Sequence, residues 1–227
     1  MTKSAAVFII IMIILAGDKQ RPLSVKKTRG VTACLLAAAA KDMKRKNVIS
    51  QVTIDKSSPE VLKARADHEA AGYWMTNMKE TLMHNLVAFD SLENGFYAVN
   101  RELAKHIPPR SLTFFCYAVS TGTDCLICGH YFKKLVADMG VDFDTFEFTD
   151  EENDLIAFAR ALATDPNYVP DDVYEALQAR YDEETMVLLV TFGVLMLANN
   201  YFNNIVGTKL DEHLYPYYDG DPVAEGI

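Results

Sequence analysis

Two cysteines three residues apart, Cys125 and Cys128, have the spacing that thiol chemistry needs. The surrounding sequence predicts a helix with Asp124 as its N-cap, so both side chains would lie on one face of the first turn. Unpaired backbone N–H groups and the positive end of the helix dipole favour a thiolate at such a position. The pair could then cycle between dithiol and disulfide while an external thiol supplies electrons.

Three other roles for this motif compete with redox chemistry. A c-type haem site needs a histidine directly after the second cysteine, where Gly129 stands. A structural zinc site needs four ligands, and only Cys125, Cys128 and His130 lie close in sequence. Cysteines also pack in cores as small hydrophobic residues. Redox chemistry is the favoured interpretation, with Cys125, Cys128 and His130 as candidate catalytic residues and with no cofactor or metal predicted.

Composition limits the class of protein. The chain has 227 residues, half of them hydrophobic, which favours one domain with a sizeable core. Its formal charge is −9, but residues 1–47 hold ten basic and two acidic residues, which leaves −17 for the remainder. An acidic body of this kind argues against nucleic acid as a partner. Four cysteines are too few for a disulfide scaffold of this length.

The N-terminal region differs from the rest of the chain. Residues 5–17 form an apolar run of 13 residues, which is too short to span a bilayer comfortably and fits a signal-peptide core or short anchor. The alternative is upstream sequence without a structural role. We expect residues 1–50 to be this apolar segment plus a basic linker, residues 51–215 to be the folded domain, and residues 216–227 to be a tail.

Helix signals dominate from residue 58 onwards. Ser58-Pro59 opens the first helix, Thr149 and Glu152 form a capping box, and Gly140 ends the cysteine helix. No segment alternates polar and apolar residues, so an all-α protein is predicted. The predicted helices cover about 58–75, 79–86, 89–103, 112–119, 124–139, 149–162, 170–181 and 185–206.

The order of these helices resembles a known family. Between about Met83 and Leu210 the chain is similar to the carboxymuconolactone decarboxylase family, and within it to the alkylhydroperoxidase-D-like branch. The resemblance implies a helical bundle, assembly into trimers or hexamers, a cytoplasmic location unless residues 5–17 act as a signal, and peroxide reduction through two cysteines with a thiol electron donor. It rests on the apolar helix 112–119, Cys125-x-x-Cys128, the capped helix at Thr149, Val169-Pro170-Asp171 and the Asn-rich end of the last helix.

The chain departs from that branch at two positions. The branch carries a glutamate about twelve residues before the first cysteine and a histidine four after the second, and these relay protons to the thiols. Thr113 and Phe132 occupy those positions here. His130 lies about 200° around an ideal helix from Cys128, so it is predicted to point away. Deprotonation of the thiol must then use the helix terminus, water, or a group such as His84 or His106.

Three functions stay open. The first is a peroxidase-like dithiol oxidoreductase in which either cysteine attacks the substrate. The second is a decarboxylase or lyase for a small lactone or acid, which needs a pocket that binds a carboxylate. The third is a helical oligomer that has lost its activity, as the loss of the relay suggests. The candidate pocket residues of the second function are His84, His106, His130 and Arg110.

The last helix also predicts self-association. Met186–Ala198 is almost uniformly apolar, and a small bundle cannot surround both this helix and the apolar helix 112–119. We therefore expect an obligate homo-oligomer, a trimer or hexamer by family likeness, with Met186–Ala198 near the seam. An Asn cluster is expected to make polar contacts at the helix end or the seam, with a pocket near the thiols as the alternative; it comprises Asn199, Asn200, Asn203 and Asn204.

Overall fold

The computed structural model describes residues 47–142 and 145–225, and all regular elements in these ranges are helical. The all-α prediction is confirmed. The apolar run 5–17 and nearly all of the predicted linker lie outside the described residues. The α-helices are α1 (Pro59–Ala70), α2 (Asn77–Leu82), α3 (Leu86–Phe89), α4 (Gly95–Leu103), α5 (Pro109–Gly122), α6 (Leu126–Asp138), α7 (Asp150–Thr164), α8 (Asp171–Gln178), α9 (Glu183–Val206) and α10 (Pro222–Glu225).

The predicted capping residues set several helix ends. Ser58 accepts a hydrogen bond from the Val61 N–H at the start of α1. At the start of α7 both hydrogen bonds of the Thr149 and Glu152 capping box are present. Gly207 ends α9 at φ 66°, a left-handed conformation that costs little only for glycine. These local signals explain why most helix positions could be read from the sequence.

The predicted helix 89–103 is interrupted. A single π-helical turn, Asp90–Asn94, separates α3 from α4. A π turn adds a residue to the helical repeat and so rotates the side chains that follow it. Within this turn Glu93 is buried, with 5% of its surface exposed. The interruption therefore contains a buried carboxyl group.

The main core surrounds α5. Phe115 on this helix is fully buried between Phe158 of α7 and Phe192 of α9, at ring-centroid distances of 6.1 and 5.8 Å. Gly193 allows this close approach, because an added Cβ would lie 2.5 Å from Leu162 Cδ1 and 3.2 Å from Phe115 Cζ. The predicted burial of α5 on most sides is confirmed.

The long helix α9 has one buried and one exposed side. Its inner side packs Leu189, Phe192 and Met196 into the core. By length and composition it is the one described helix that could cross a membrane, but core helices pass the same test and 44% of its apolar window is buried. Its exposed apolar residues, called the outer stripe below, are Val187, Val194, Tyr201 and Ile205.

The segment predicted as a tail continues the folded body. A 3₁₀ helix, Glu212–Tyr217, buries Leu214 completely. Lys133 Nζ on α6 donates a hydrogen bond to the Tyr217 carbonyl at 2.8 Å. Tyr217 and Tyr218 of the predicted tail therefore contact α6.

A buried histidine predicts how stability depends on pH. His68 is 5% exposed and packs against Tyr73, Phe89 and Tyr97 at ring distances of 5.1 to 5.9 Å. Burial, and secondarily the charge of Lys79, lower its pKa from 6.5 to about 4. Because the folded protein binds this proton less readily than the unfolded chain, stability is complete above pH 6.5 and is lost as pH falls towards 4.

Between pH 7 and pH 4.5 we expect His68→Phe to lose about 2 kcal/mol less unfolding free energy than the wild type. Urea unfolding of the two proteins at pH 7 and pH 4.5 measures the difference. His84→Phe, at an exposed site, is the matched control and is expected to keep the wild-type pH dependence. An unchanged dependence in His68→Phe would contradict the assignment.

Candidate active site

The two cysteines begin α6 in an arrangement different from the predicted one. Cys125, and not Asp124, is the N-cap residue, because Asp124 adopts a left-handed conformation with φ 52°. The Cys125 Sγ accepts a hydrogen bond from the Cys128 backbone N–H at 3.5 Å. The helix therefore starts one residue later than predicted. One thiol forms the cap and the other lies within the first turn.

Both thiols are buried, with 3% of Cys125 and 7% of Cys128 exposed. The hydrogen bond with Cys125 and the loss of solvent raise the pKa of the Cys128 thiol, while a hydrogen bond from Asn203 acts in the opposite direction. The helix start predicted a lowered thiol pKa, so the structure reverses the predicted direction. The helix terminus does not stabilise a Cys128 thiolate enough to lower its pKa, because the Cys128 N–H already donates to the Cys125 sulfur. Cys128 is thus a neutral thiol at rest and needs a proton acceptor.

A cavity of about 70 Å³ lies beside Cys128. One water needs roughly 10 to 15 Å³ of such space, so the cavity could hold a small organic molecule. Cys125 does not line the cavity, which distinguishes the two thiols. The lining residues are mostly aromatic and apolar, with several polar side chains among them; those used below are Met78, Lys79, Glu93, Phe96, Tyr97, Cys128, Tyr131, Phe132, Asn199, Asn203 and Asp211.

A buried ion pair occupies one wall of the cavity. Lys79 Nζ lies 3.5 Å from Glu93 Oε2, and the two side chains are 7% and 6% exposed. The same ammonium donates to the Trp74 carbonyl at 2.8 Å and to the Tyr97 hydroxyl at 3.0 Å. Burial raises the pKa of Glu93 and lowers that of Lys79, and their mutual attraction opposes both shifts. A carboxyl group with a raised pKa that lines the same cavity as a thiol is suited to exchange protons with it.

The Asn cluster at the end of α9 lies inside the chain. Asn203 Nδ2 donates to Cys128 Sγ at 3.3 Å, and Asn200 Nδ2 donates to Thr123 Oγ1 at 2.8 Å. Asn204 Nδ2 donates to the Thr123 carbonyl at 3.1 Å. The cluster thus tethers α9 to the turn before the cysteines. Asn199 and Asn203 line the cavity, as the alternative of a pocket near the thiols expected, while Asn200 and Asn204 make polar contacts at the helix end.

Solved structures resemble this chain over most of its length. The debrominase Bmp8 without ligand matches with a TM-score of 0.61 and 17% identity, covering 79% of this chain and 98% of its own. An alkylhydroperoxidase AhpD core, an uncharacterized peroxidase-related protein from Ralstonia eutropha JMP134, matches with a TM-score of 0.53 and 18% identity, covering 74% and 95%. The chain has the alkylhydroperoxidase-D-like fold. No protein-family model and no curated protein sequence matches it.

A second Bmp8 structure carries a cysteine-to-alanine change and contains 2,3,4-tribromopyrrole. It matches with a TM-score of 0.60 and 17% identity and covers 79% of this chain and 96% of its own. At these identities the likeness establishes the alkylhydroperoxidase-D-like fold and nothing about the reaction.

The two relay positions of the alkylhydroperoxidase-D-like branch hold no proton acceptor in this chain. The Thr113 hydroxyl donates to the Pro109 carbonyl at 3.0 Å, and the side chain does not line the cavity. Phe132 lines the cavity with its ring. Glu93, which the sequence analysis missed, supplies one of the cavity's two carboxyl groups from the π turn between α3 and α4, and Asp211 supplies the other. One signal was available, because Glu93 lies on the apolar side of the predicted helix that carries Phe89 and Phe96.

The candidate histidines and Arg110 do not meet. His130 Nδ1 lies 2.7 Å from the Leu126 carbonyl, and its ring packs on Tyr218. His84 binds the Ser50 carbonyl, and Arg110 pairs with Glu152 at 2.8 Å. His106 lines a separate surface depression, and none of the four lines the thiol cavity. Among the described residues no cluster of three or more His, Cys, Asp or Glu side chains could hold a metal ion.

Proposed function

We propose that this protein is a dithiol oxidoreductase that reduces a small uncharged substrate, with a hydroperoxide as the reference case. The observation that carries the proposal is that Cys128 lines a cavity while the Cys125 sulfur, outside the cavity lining, accepts the Cys128 backbone N–H. The names of two structural neighbours, a peroxidase-related protein and a debrominase, add support from the same fold. In this scheme Cys128 attacks the substrate and Cys125 is the resolving thiol.

The proposed cycle balances with one external thiol donor. Glu93 accepts the Cys128 proton, and the thiolate attacks the hydroperoxide, so that the O–O bond breaks. Cys128 becomes a sulfenic acid, and the alcohol leaves after taking one proton. Cys125 then attacks the sulfenic acid, which releases water and forms a disulfide. Two electrons and two protons from an external dithiol restore both thiols.

The charge balance of the cavity favours uncharged substrates. Among the described lining residues Lys79 is the one cation, and it already interacts with Trp74, Tyr97 and Glu93. A carboxylate substrate would enter without an available partner, and burial of an unpaired charge is costly. This arrangement disfavours the lyase for a small acid. The inactive helical oligomer is the remaining alternative, and it is excluded if the protein shows thiol-dependent activity.

Peroxide consumption in the presence of a small dithiol tests the proposal. We expect Cys128→Ser to abolish turnover and Cys125→Ser to slow it, since the sulfenic acid then has no internal partner and must react with the external dithiol. Cys116→Ser is the matched control, because Cys116 is equally buried but does not line the cavity. Equal turnover in the wild type and the Cys125→Ser/Cys128→Ser double variant would exclude the function.

The aromatic walls support a second candidate, the reductive removal of bromine from a small ring. Phe96, Tyr97, Tyr131 and Phe132 all line the cavity, and the neighbour Bmp8 is a debrominase. The Cys128 thiolate would attack bromine, so that an S–Br bond forms and the C–Br bond breaks with its electron pair on the ring carbon, which takes a proton. Cys125 would then attack the Cys128 sulfur, which releases bromide and forms the disulfide; the external dithiol restores both thiols. Bromide release from a bromopyrrole that depends on Cys128 supports this candidate. Release that is equal in Cys128→Ser excludes it.

A further inference from the structure

The cavity concentrates buried acceptors that have no partner. In the part of the chain that the structure describes, six buried side-chain atoms lack a hydrogen bond, and three of them are oxygens of cavity residues. They are Asn199 Oδ1, Asn203 Oδ1 and Asp211 Oδ2, in side chains that are 5%, 2% and 6% exposed. Buried polar atoms are nearly always paired, so a concentration of exceptions in one cavity indicates a ligand.

Protein contacts hold two of these side chains in place. Asn203 Nδ2 donates to Cys128 Sγ at 3.3 Å and to Met78 Sδ at 3.1 Å, so its oxygen is the end left for another partner. Asp211 Oδ1 accepts the Asn77 N–H at 2.7 Å, which leaves Oδ2. Protein contacts therefore fix the orientation of both side chains before a ligand binds.

The remaining walls define the rest of the ligand. Phe96, Tyr97 and Phe132 offer ring faces and edges, and Met78 offers a polarizable thioether. A cavity of about 70 Å³ admits one small ring. We propose that the cavity binds a small uncharged aromatic molecule that donates N–H or O–H hydrogen bonds to Asn199, Asn203 and Asp211. This inference deepens the proposed function by naming the substrate class of the same site.

Matched ligand pairs test the inference without any turnover. Pyrrole is compared with N-methylpyrrole, and phenol with anisole, by titration calorimetry on the full-length reduced protein without oxidant. In each pair the second member keeps the ring and loses the donor. We expect the donor to bind at least about tenfold tighter, because it pairs acceptors that are otherwise left buried and unsatisfied. A preference in the first pair alone identifies N–H donors, and one in the second pair alone identifies O–H donors.

A single substitution changes one acceptor into a donor. In Asp211→Asn the Oδ1 atom can still accept the Asn77 N–H, while the amide NH₂ takes the place of Oδ2. The preference for the donor ligand is expected to fall by about tenfold. Thr208→Val is the control, because Thr208 Oγ1 is also buried without a partner but does not line the cavity. It is expected to keep the wild-type preference.

Equal affinities within both pairs in the wild type would overturn the inference, since the acceptors would then serve only water. An equal loss of preference in Asp211→Asn and Thr208→Val would overturn it as well. The two ligand pairs measured on the wild-type protein test the inference even if Asp211→Asn does not fold. Binding of pyrrole or phenol by a protein that reduces no substrate would sustain this inference and refute the proposed function, so the two failures are distinguishable.

Discussion

Replacing Glu93 with glutamine is expected to slow peroxide reduction by about 10² to 10⁴-fold, the usual worth of a positioned proton acceptor. The Cys128 thiol has a raised pKa and is neutral at rest, so the reaction needs a base in the cavity. Glu93 is the carboxyl group that lines the cavity on the ion-pair side, and its own pKa is raised. A raised pKa makes a carboxylate a stronger base for the thiol proton.

The pH profile identifies this role. The wild-type rate should rise as pH increases through the raised pKa of Glu93, because only the carboxylate accepts a proton. The rate of Glu93→Gln should rise only near the pKa of the thiol itself, above the ordinary value of about 8.5. Rapid mixing with peroxide between pH 5 and 10 measures both profiles.

A matched control separates catalysis from structure. Glu152 is 1% exposed and pairs with Arg110, but it does not line the cavity, so Glu152→Gln should leave the profile unchanged. Glu93→Gln also leaves the buried Lys79 ammonium without its carboxylate partner. The double variant Glu93→Gln/Lys79→Met removes that unpaired charge and so tests the loss of the base alone. A wild-type rate and profile in both Glu93 variants would contradict the assignment.

Changing Val194 to aspartate is expected to weaken self-assembly by at least about a hundredfold. We propose that the outer stripe of α9 is the seam of a homo-oligomer, a trimer or hexamer by likeness to the family. Val187, Val194 and Tyr201 repeat every seven residues along the exposed side, and Ile205 continues the stripe at 76% exposure. A repeat of seven keeps one stripe facing a neighbouring helix. A carboxylate buried at its centre would lack a partner.

Light scattering of the full-length protein and of Val194→Asp measures this effect. Val87→Asp is the matched control, because Val87 is 75% exposed and lies on a different helix, α3. Val194→Asp should remain folded, since that side chain is 54% exposed within the chain. A wild-type monomer of 25.4 kDa at micromolar concentration would contradict the seam.

The helices could be predicted because their ends are determined locally. The Thr149 capping box, Ser58-Pro59 and the left-handed Gly140 act within a few residues of each helix end. The predicted start of α6 was wrong by one residue, and this helix end is also determined locally. Asp124 adopts a left-handed conformation, which passes the capping role to Cys125. Either residue can cap a helix, and only the backbone conformation distinguishes them.

The site was predicted only in part, because it depends on distant elements. The redox spacing identified Cys125 and Cys128, but the cavity joins Cys128 to residues 35 to 83 positions away in sequence, such as Glu93 and Asp211. The helical periodicity places Glu93 on the apolar side of its predicted helix but shows neither the π turn nor the cavity. Burial also reverses the predicted direction of the Cys128 thiol pKa. Spacing identified the reactive groups, and packing determined their surroundings.

The redox role of Cys125 and Cys128 is tested most simply by the intact mass of the reduced protein after it reacts with one equivalent of hydroperoxide. The wild type is expected to lose two hydrogen atoms, with peptide mapping placing a disulfide between Cys125 and Cys128. Cys125→Ser should instead gain one oxygen atom at Cys128. An unchanged wild-type mass, or oxidation confined to Cys116, would contradict the proposal that these two thiols form the redox centre.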